Sequence, residues 1–487
     1  MSQKQSTKKV NIFLPTILLI LVDVLLVNAG FLLAFEMRFV GDIPRRSLEP
    51  FLNIVPLLSI ATVVIFMGFG LYEKRRNGLM SLIRAALISV VTIFFVTMAL
   101  TFWFRGFSFP RGVLLLGMVI QVLLITTWRT GCWYLEKRLH GLRNMLVIGP
   151  YGEVEKLLEK VLDLPRGWFR VHKILDSSNI DQLDIYLNDI DAVLMVPSLG
   201  KEKKARVLVA CQESRREVFL VPDFYDILVC NARVAQLDDL PVMEIRDISL
   251  SWGQRIIKRT LDICISSIGL LIVSPVMIIC ALLVRLTSLG PVFYSQQRVG
   301  RGKYVFRLYK FRSMVQDAEK KTGPVLAADN DSRITPVGKF LRATRLDELP
   351  QLFNVLKGEM SFVGPRPERP VFVDEFDRQY PDYHYRHLVK PGITGLAQVA
   401  GKYTTSPEDK LRFDLYYIRN YSFFLDIKII LQTIPVLLSR ESSAGKKKLS
   451  KEKRAAIHYL VNGSYETSAL KESKNVAKHA RLINEDM

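Results

Sequence analysis

The sequence predicts a membrane protein in three parts: a four-helix transmembrane region, a cytosolic Rossmann-like α/β domain, and an α+β domain anchored by a re-entrant membrane helix. Three observations predict it. Four long apolar runs crowd residues 1–140, apolar strand patterns alternate with amphipathic helix patterns over 141–250, and a fifth apolar run, interrupted by proline, opens the stretch 251–440. Hydrophobic residues make up 49% of the chain and mean hydropathy is positive, more than a purely soluble protein of this charge content carries. A formal net charge of +20 calls for an anionic surface, either nucleic acid or membrane. The basic residues flank apolar runs instead of forming a separate arm, and no nucleic-acid module is recognisable, so the membrane is favoured.

The runs 12–35, 51–72, 85–104 and 112–134 are nearly free of charge, and each approaches the roughly twenty residues a helix needs to cross a bilayer. The first is too long for a removable signal peptide and lacks a small-residue cleavage site, so it reads as an anchor. Lys4, Lys8 and Lys9 before the first run, Lys74, Arg75 and Arg76 after the second, and Lys137, Arg138 and Arg143 after the fourth assign those segments to the cytoplasm. The loops 36–50 and 105–111 then face outward, although Arg38, Arg45 and Arg46 weaken the bias. Asp23 lies inside the first run, either as a functional group or as a contact to a neighbouring helix. Phe102, Trp103, Trp128 and Tyr134 suit interfacial anchors. The cysteines, Cys132, Cys211, Cys230, Cys264 and Cys280, show no C-x-x-C spacing, which fits a reduced, cytosol-facing chain without structural zinc.

Between Arg143 and Asp247, runs at 145–148, 192–196 and 217–221 read as buried parallel strands, with 170–175 as a weaker one and helices at 152–163 and 202–214 between them. That alternation is Rossmann-like. The glycine fingerprint is broken, because Pro150 and Tyr151 separate Gly149 from Gly152, so a regulatory or structural domain without a bound dinucleotide is expected. Asp176 could accept a ribose hydroxyl or be an ordinary loop acid.

The fifth apolar run, within about 261–286, is long enough to cross the membrane, yet Ser274-Pro275 sits at its middle, where proline removes a helix hydrogen bond. Both flanks are basic. Lys258 and Arg259 precede it, and Arg285, Arg298, Arg301 and Lys303 follow, which puts both ends in the cytoplasm and predicts a helix that enters and leaves on one side; a kinked spanning helix is the alternative. Next, VFYSQQRVGRGKYVFRLYKFRSM reads as a hairpin turning at Gly300-Arg301-Gly302. Residues 371–388 look helical and aromatic, with His384 and His387 interfacial or structural and without partners for zinc. Residues 408–440 return to helix, and DIKIILQTIPVLLSR could lie along the membrane plane or pack as core. The segment 441–487, polar and charged and including KKKLSKEKR, reads as a mobile tail.

The stretch 342–370 carries the chemistry. Asp347 and Glu348 stand just ahead of a short amphipathic helix that starts at Pro350 and stops at Gly358, at the positive end of its dipole. Arg342, Arg345 and Arg366 supply charge for a phosphate near those carboxylates, and Arg366 is held between Pro365 and Pro367. Taken alone, acids before a helix are ordinary dipole partners. The ordered series RITPVGKFLRATRLDELPQLFNVLKGEMSFVGPRP, with KFRSM at 310–314, KPGITGLAQV at 390–399 and KLRFDLYYIRNYS at 410–422, changes the reading. From about Lys258 to Leu438 the chain resembles the bacterial sugar transferases, the polyprenyl-phosphate glycosyl-1-phosphate transferases, in the large form with N-terminal membrane helices and a Rossmann-like domain.

The resemblance implies transfer of a sugar-1-phosphate from a UDP-sugar to a polyprenyl phosphate such as undecaprenyl phosphate, with release of UMP. It places the reaction at the start of exopolysaccharide, capsule or O-antigen repeat-unit synthesis, on the cytosolic face of the bacterial inner membrane. It implies a re-entrant helix broken at Ser274 and Pro275. In that scheme Asp347 attacks the phosphorus bearing the sugar and forms an aspartyl phospho-sugar, while Glu348, beside Asp347, holds Mg²⁺. Lys310, Arg312, Arg342 and Arg366 steady phosphates, and Asp414 joins them from the KLRFDLYY match or is only structural. Two rivals remain: a membrane glycosyltransferase that releases UDP, and a non-enzymatic membrane sensor built on the Rossmann-like domain. The sugar, the role of 141–250 and the oligomeric state, a homo-oligomer included, are left open by the sequence.

Overall fold

The computed structural model describes residues 16–73, 78–104, 109–161, 169–230, 232–245, 247–315, 331, 333–401 and 405–437. Lys4, Lys8, Lys9, Lys74, Arg75, Arg76 and the tail 441–487 lie outside the described residues. The chain divides into two compact units with the boundary between Val221 and Pro222.

The first unit opens with helices α1 (Thr16–Phe39), α2 (Arg45–Gly68), α3 (Leu79–Trp103) and α4 (Arg111–His140). Each is long and apolar enough to cross a membrane. Helices α2 and α3 start ahead of their apolar runs, and α4 ends beyond its own, because the helical hydrogen-bond ladder continues into polar flanks once started. Phe31 and Phe35 of α1 meet Phe51 of α2 and Phe109 ahead of α4 in one aromatic cluster. Polar groups also join the helices. Gln121 Nε2 donates to the Val27 carbonyl at 2.9 Å, and Asn28 Nδ2 donates to Ser59 Oγ at 3.2 Å. Asp23 is fully buried and forms an ion pair with Arg129 of α4, whose other amine donates to the Leu71 carbonyl at 3.0 Å. Asp23 thus makes a contact to a neighbouring helix, with Arg129 as its partner. Phe102, Trp103 and Tyr134 are exposed and Trp128 is half-buried.

After α4, the chain builds β1 (Arg143–Ile148), α5 (Tyr151–Val161), β2 (Phe169–Leu175), α6 (Leu183–Tyr186), β3 (Ala192–Met195), α7 (Lys201–Glu213) and β4 (Glu217–Leu220). The strands form a parallel sheet in the order β2-β1-β3-β4. Alternate residues of β1 and β3 enter two separate cores: Leu146, Ile148, Val193 and Met195 one, Met145, Val147, Ala192 and Leu194 the other. Burial on both faces is why these strands read as unbroken apolar runs. A side chain at Gly149 would run into Val196, so this glycine serves close packing between strand ends. Asp176 accepts from Ser178 N at 2.8 Å and Oγ at 2.7 Å, the role of a loop acid that caps a turn.

The second unit begins earlier than the sequence boundary at 250. Residues 222–245 belong to it and carry α8 (Phe224–Val229) and an antiparallel hairpin, β5 (Arg233–Leu237) and β6 (Leu240–Glu244). Then comes α9, Trp252–Thr287, a single helix that runs through Pro275. The expected interruption at Ser274-Pro275 is thus not a break in the helix. Proline leaves the Leu271 carbonyl without its usual donor, and the Ser274 hydroxyl donates to that carbonyl instead, at 3.0 Å.

The remainder is the expected hairpin, β7 (Phe293–Val299) and β8 (Val305–Phe311), then α10 (Pro336–Ala343), α11 (Gln351–Lys357), β9 (Ser361–Val363), α12 (Pro370–Gln379), β10 (Gly392–Thr394), α13 (Leu396–Ala400), α14 (Pro407–Arg419) and α15 (Phe423–Leu437). Residues 381–388 form a 3₁₀ segment containing both histidines. Basic residues that flank the apolar part of α9 are taken up inside this unit. Lys258 Nζ donates to Asp426 Oδ2 at 2.7 Å and to Tyr417 OH at 3.0 Å, and Arg259 donates to the Val355 and Leu356 carbonyls, both at 2.7 Å, at the end of α11. Asp262, one turn on, accepts from Ser361 Oγ at 2.9 Å and Phe362 N at 2.8 Å. Toward its other end α9 buries Met277, Cys280 and Val284 against Phe311 and Leu341.

Candidate active site

Two short helices meet at the site. Thr335 caps α10, accepting from Gly338 N at 2.9 Å, and Pro336 starts it with a preset φ. Arg345 then turns the chain in the left-handed region at φ 56°, Leu346–Glu348 make one 3₁₀ turn, and α11 follows from its cap at Pro350 to Gly358, whose φ of 85° glycine adopts without a steric penalty. The dyad is thereby held on a tight turn between helices, largely out of solvent, with Asp347 only 8% exposed.

Basic residues distant in sequence converge on one oxygen. Lys310 Nζ from β8 and Arg366 Nη2 from the loop after β9 each lie 2.8 Å from Glu348 Oε1. Burial opposes the Glu348 charge, but Arg366 and Lys310 outweigh it and hold this carboxyl well below its ordinary range. Asp347 is pushed the other way, up to about 6, by burial and by the Glu348 charge, against the pull of Lys310 and Arg342. Adjacent carboxylates thus divide: one stays ionised at any ordinary pH, the other is a comparatively basic carboxylate.

The other sequence-predicted residues fall into two groups. Arg342 donates from Nε to Ser313 Oγ at 2.8 Å, and its charge acts on Asp347. Arg312 is buried at the end of β8 and reaches Ser288, the residue that ends α9, with two bonds of 2.8 Å, leaving Nε and Nη1 without partners. Asp414 is not among the groups around Glu348. It accepts from Arg386, and it is Arg386 that meets the site, through the Arg366 carbonyl at 2.9 Å. Burial raises Asp414 to about 6 even beside that guanidinium.

Sequence reading missed three positioning residues. Asn354 is fully buried and fastens α11 to the strand that carries Lys310: Oδ1 accepts from Tyr309 N at 3.1 Å, and Nδ2 donates to the Arg307 carbonyl at 2.7 Å. Arg298 donates to the Pro367 carbonyl at 3.0 Å, so Arg298 and Arg386 clamp consecutive carbonyls at Arg366 and Pro367. A polar residue on the inward face of a short helix was the one available signal, and it applies to Asn354 alone.

Among the described residues no group of three or more His, Cys, Asp or Glu comes together, so a metal caged by protein ligands has no seat among them. Mg²⁺ asks for less: one or two carboxylates, with substrate phosphates and water completing its shell. The donor set fits that need, since both ion pairs on Glu348 use Oε1 and Asp347 makes no hydrogen bond or ion pair among the described residues.

The family described as bacterial sugar transferase matches residues 253–440, a span that contains every residue of this cluster. The likeness extends beyond that span: a UDP-N-acetylgalactosamine-undecaprenyl-phosphate N-acetylgalactosaminephosphotransferase of Aeromonas hydrophila is 35% identical over 365 residues, covering 73% of this chain and 80% of its own. The chain belongs to the bacterial sugar transferase family. This transferase is also 31% identical over 411 residues to a UDP-glucose:undecaprenyl-phosphate glucose-1-phosphate transferase of Klebsiella pneumoniae, covering 78% and 87% of the two chains. An undecaprenyl-phosphate galactose phosphotransferase of Salmonella typhimurium is 39% identical over 244 residues, 47% of this chain and 50% of that one. With five helices among the described residues long and apolar enough to cross a bilayer, the sugar transferase is a multi-pass membrane protein.

Proposed function

We propose that the protein transfers a sugar-1-phosphate from a UDP-sugar to undecaprenyl phosphate at the cytosolic face of the bacterial inner membrane, releasing UMP and starting an exopolysaccharide, capsule or O-antigen repeat unit. The observation that carries this reading is the split between Asp347 and Glu348. Asp347 is the nucleophile: its carboxylate oxygen attacks the phosphorus that bears the sugar, the bond to the UMP phosphate oxygen breaks, and an aspartyl phospho-sugar remains. The lipid phosphate oxygen then attacks the same phosphorus and releases Asp347 as carboxylate. Lys310 and Arg366 keep Glu348 ionised and bring positive charge to the diphosphate. Glu348, with Asp347, would hold Mg²⁺, which supplies further charge compensation to the diphosphate. Arg312 and Arg342 serve phosphate oxygens on the side of the site where α9 ends.

The membrane arrangement of α9 is part of the proposal. A straight helix of 36 residues is about 54 Å long, so a spanning one separates its ends by the full bilayer. Here Lys258 and Asp262 near one end, and Met277, Cys280 and Val284 near the other, all pack on the same α+β unit. Its outward residues Leu271, Ile272 and Ile278 are between 62% and 77% exposed, as lipid-facing side chains are. Both features support a helix that enters and leaves on one side, with the dyad at headgroup level where lipid phosphate and soluble nucleotide meet.

Membranes containing the protein, incubated with a panel of UDP-sugars and undecaprenyl phosphate, test the reading. Lipid-linked sugar phosphate with stoichiometric UMP is expected; release of UDP would make it a transferase of another class.

A further inference from the structure

We propose that Asp262, a carboxylate inside the apolar helix α9, is a positioning residue for Arg366: it fixes the strand from which Arg366 reaches Glu348, so the donor end of the site is assembled through the membrane helix. This rests on the reading above that Arg366 meets the diphosphate of the UDP-sugar, and adds to it the group that holds the arginine in place. An ionisable side chain in an apolar helix calls for a specific partner. Asp262 is 3% exposed, one turn on from Lys258, whereas the adjacent Ile263 is 41% exposed. Its Oδ1 accepts from Ser361 Oγ at 2.9 Å and from Phe362 N at 2.8 Å, both in β9. Lys258 is spent elsewhere, on Asp426 of α15 and Tyr417 of α14.

The stretch from Phe362 to Arg366 has little slack. Ser361 N donates to the Pro391 carbonyl, Gly364 N to the Thr394 carbonyl and Gly392 N to the Pro365 carbonyl, each at 2.8 Å, so β9 and its exit are tied to β10 and the residue before it. A Cβ at Gly364 would lie 2.5 Å from the Lys390 carbonyl oxygen, a measure of how closely the two backbones approach. Pro365 and Pro367 preset φ on either side of Arg366. Arg366 Nη2 then meets Glu348 Oε1 at 2.8 Å. Movement of β9 is therefore passed to the guanidinium, and a displacement of about 1 Å at a substrate-positioning group can cost about a hundredfold. The part asked of Asp262 is that of an acceptor. Both bonds fall on one oxygen, and a carboxamide oxygen also has two lone pairs, so asparagine can make them and alanine cannot.

The test is a double-mutant cycle on the binding of UDP to the full-length protein in nanodiscs, with thermal unfolding to confirm that each variant is folded. Asp262→Ala is expected to weaken UDP binding about tenfold, Arg366→Gln at least as much, and Asp262→Asn less than about twofold. In the Arg366→Gln background, Asp262→Ala should add less than about twofold, because the residue it positions is gone. A merely structural role would not produce that non-additivity. Losses that multiply in the double variant overturn the assignment, and so does an Asp262→Asn variant as weak as Asp262→Ala. Should Asp262→Ala fail to fold, Ser361→Ala removes one of the two donors without altering α9; about a threefold loss is expected, and none in the Arg366→Gln background, with multiplying losses again overturning the link. The two readings fail separately: undiminished UDP binding by Arg366→Gln removes Arg366 from donor recognition and this proposal with it, whereas weak binding there beside normal binding by Asp262→Ala removes the positioning role alone.

Discussion

Arg386 and Asp414 form an ion pair of 2.9 Å in which both side chains are at most 6% exposed, and the same Arg386 amine donates to the Arg366 carbonyl. A residue far from the dyad thereby fixes the backbone from which Arg366 extends to Glu348. Removing one member of a buried pair leaves the other charged and unmatched, at about 3–5 kcal/mol. Arg386→Met should lower stability by about that amount and raise KM for the UDP-sugar more than it changes KM for the lipid. Thermal unfolding together with steady-state kinetics on both substrates checks it; equal effects on the two KM values would contradict the link to Arg366.

Asp347→Asn should abolish transfer, by at least about a thousandfold, and eliminate the covalent phospho-sugar adduct while membrane insertion persists. Mass spectrometry of protein incubated with UDP-sugar and no lipid reads the adduct directly. Normal turnover by this variant would remove Asp347 from the mechanism.

Chelation of divalent metal should stop UMP release, and Mg²⁺ should restore it, because Glu348 and Asp347 suit a shared ion. Full activity in excess EDTA would exclude that role.

Asn354→Ala should cost about 3 kcal/mol, since it leaves the Tyr309 N–H and the Arg307 carbonyl without partners in the interior. It should also slow transfer more than a surface substitution of equal destabilisation, by loosening α11 from the strand that carries Lys310. Chemical denaturation and initial rates below the unfolding range separate these effects.

In the membrane unit, Asp23→Ala should destabilise by about 3–5 kcal/mol by stranding Arg129, and Asp23→Leu combined with Arg129→Leu should recover much of the loss. Detergent thermal stability of the single and double variants measures it. Additive losses would show that the two side chains do not act as a pair.

What could be read from the residues in order was whatever local spacing encodes. Four apolar runs announced α1 to α4, continuous apolar tetrads such as Val193–Met195 with Ala192 announced strands buried on both faces, and Pro350 with Gly358 bounded the helix behind Asp347. Periodicity and punctuation act within a few residues, so they are visible without a fold. Ser274 is an intermediate case: proline at 275 was plain, but that the neighbouring hydroxyl would take over the Leu271 carbonyl and keep α9 continuous depended on side-chain geometry.

Pairings across long stretches of chain were decided by packing alone. Nothing near Asp23 names Arg129, 106 residues away, and nothing in KLRFDLYY names Arg386 as the partner of Asp414. The opposite titration of Asp347 and Glu348 likewise follows from which of two neighbours Lys310 and Arg366 happen to reach. Charge type is written in the sequence, whereas desolvation and the distance between charges exist only once the chain has folded, and those two quantities set what a carboxylate can do.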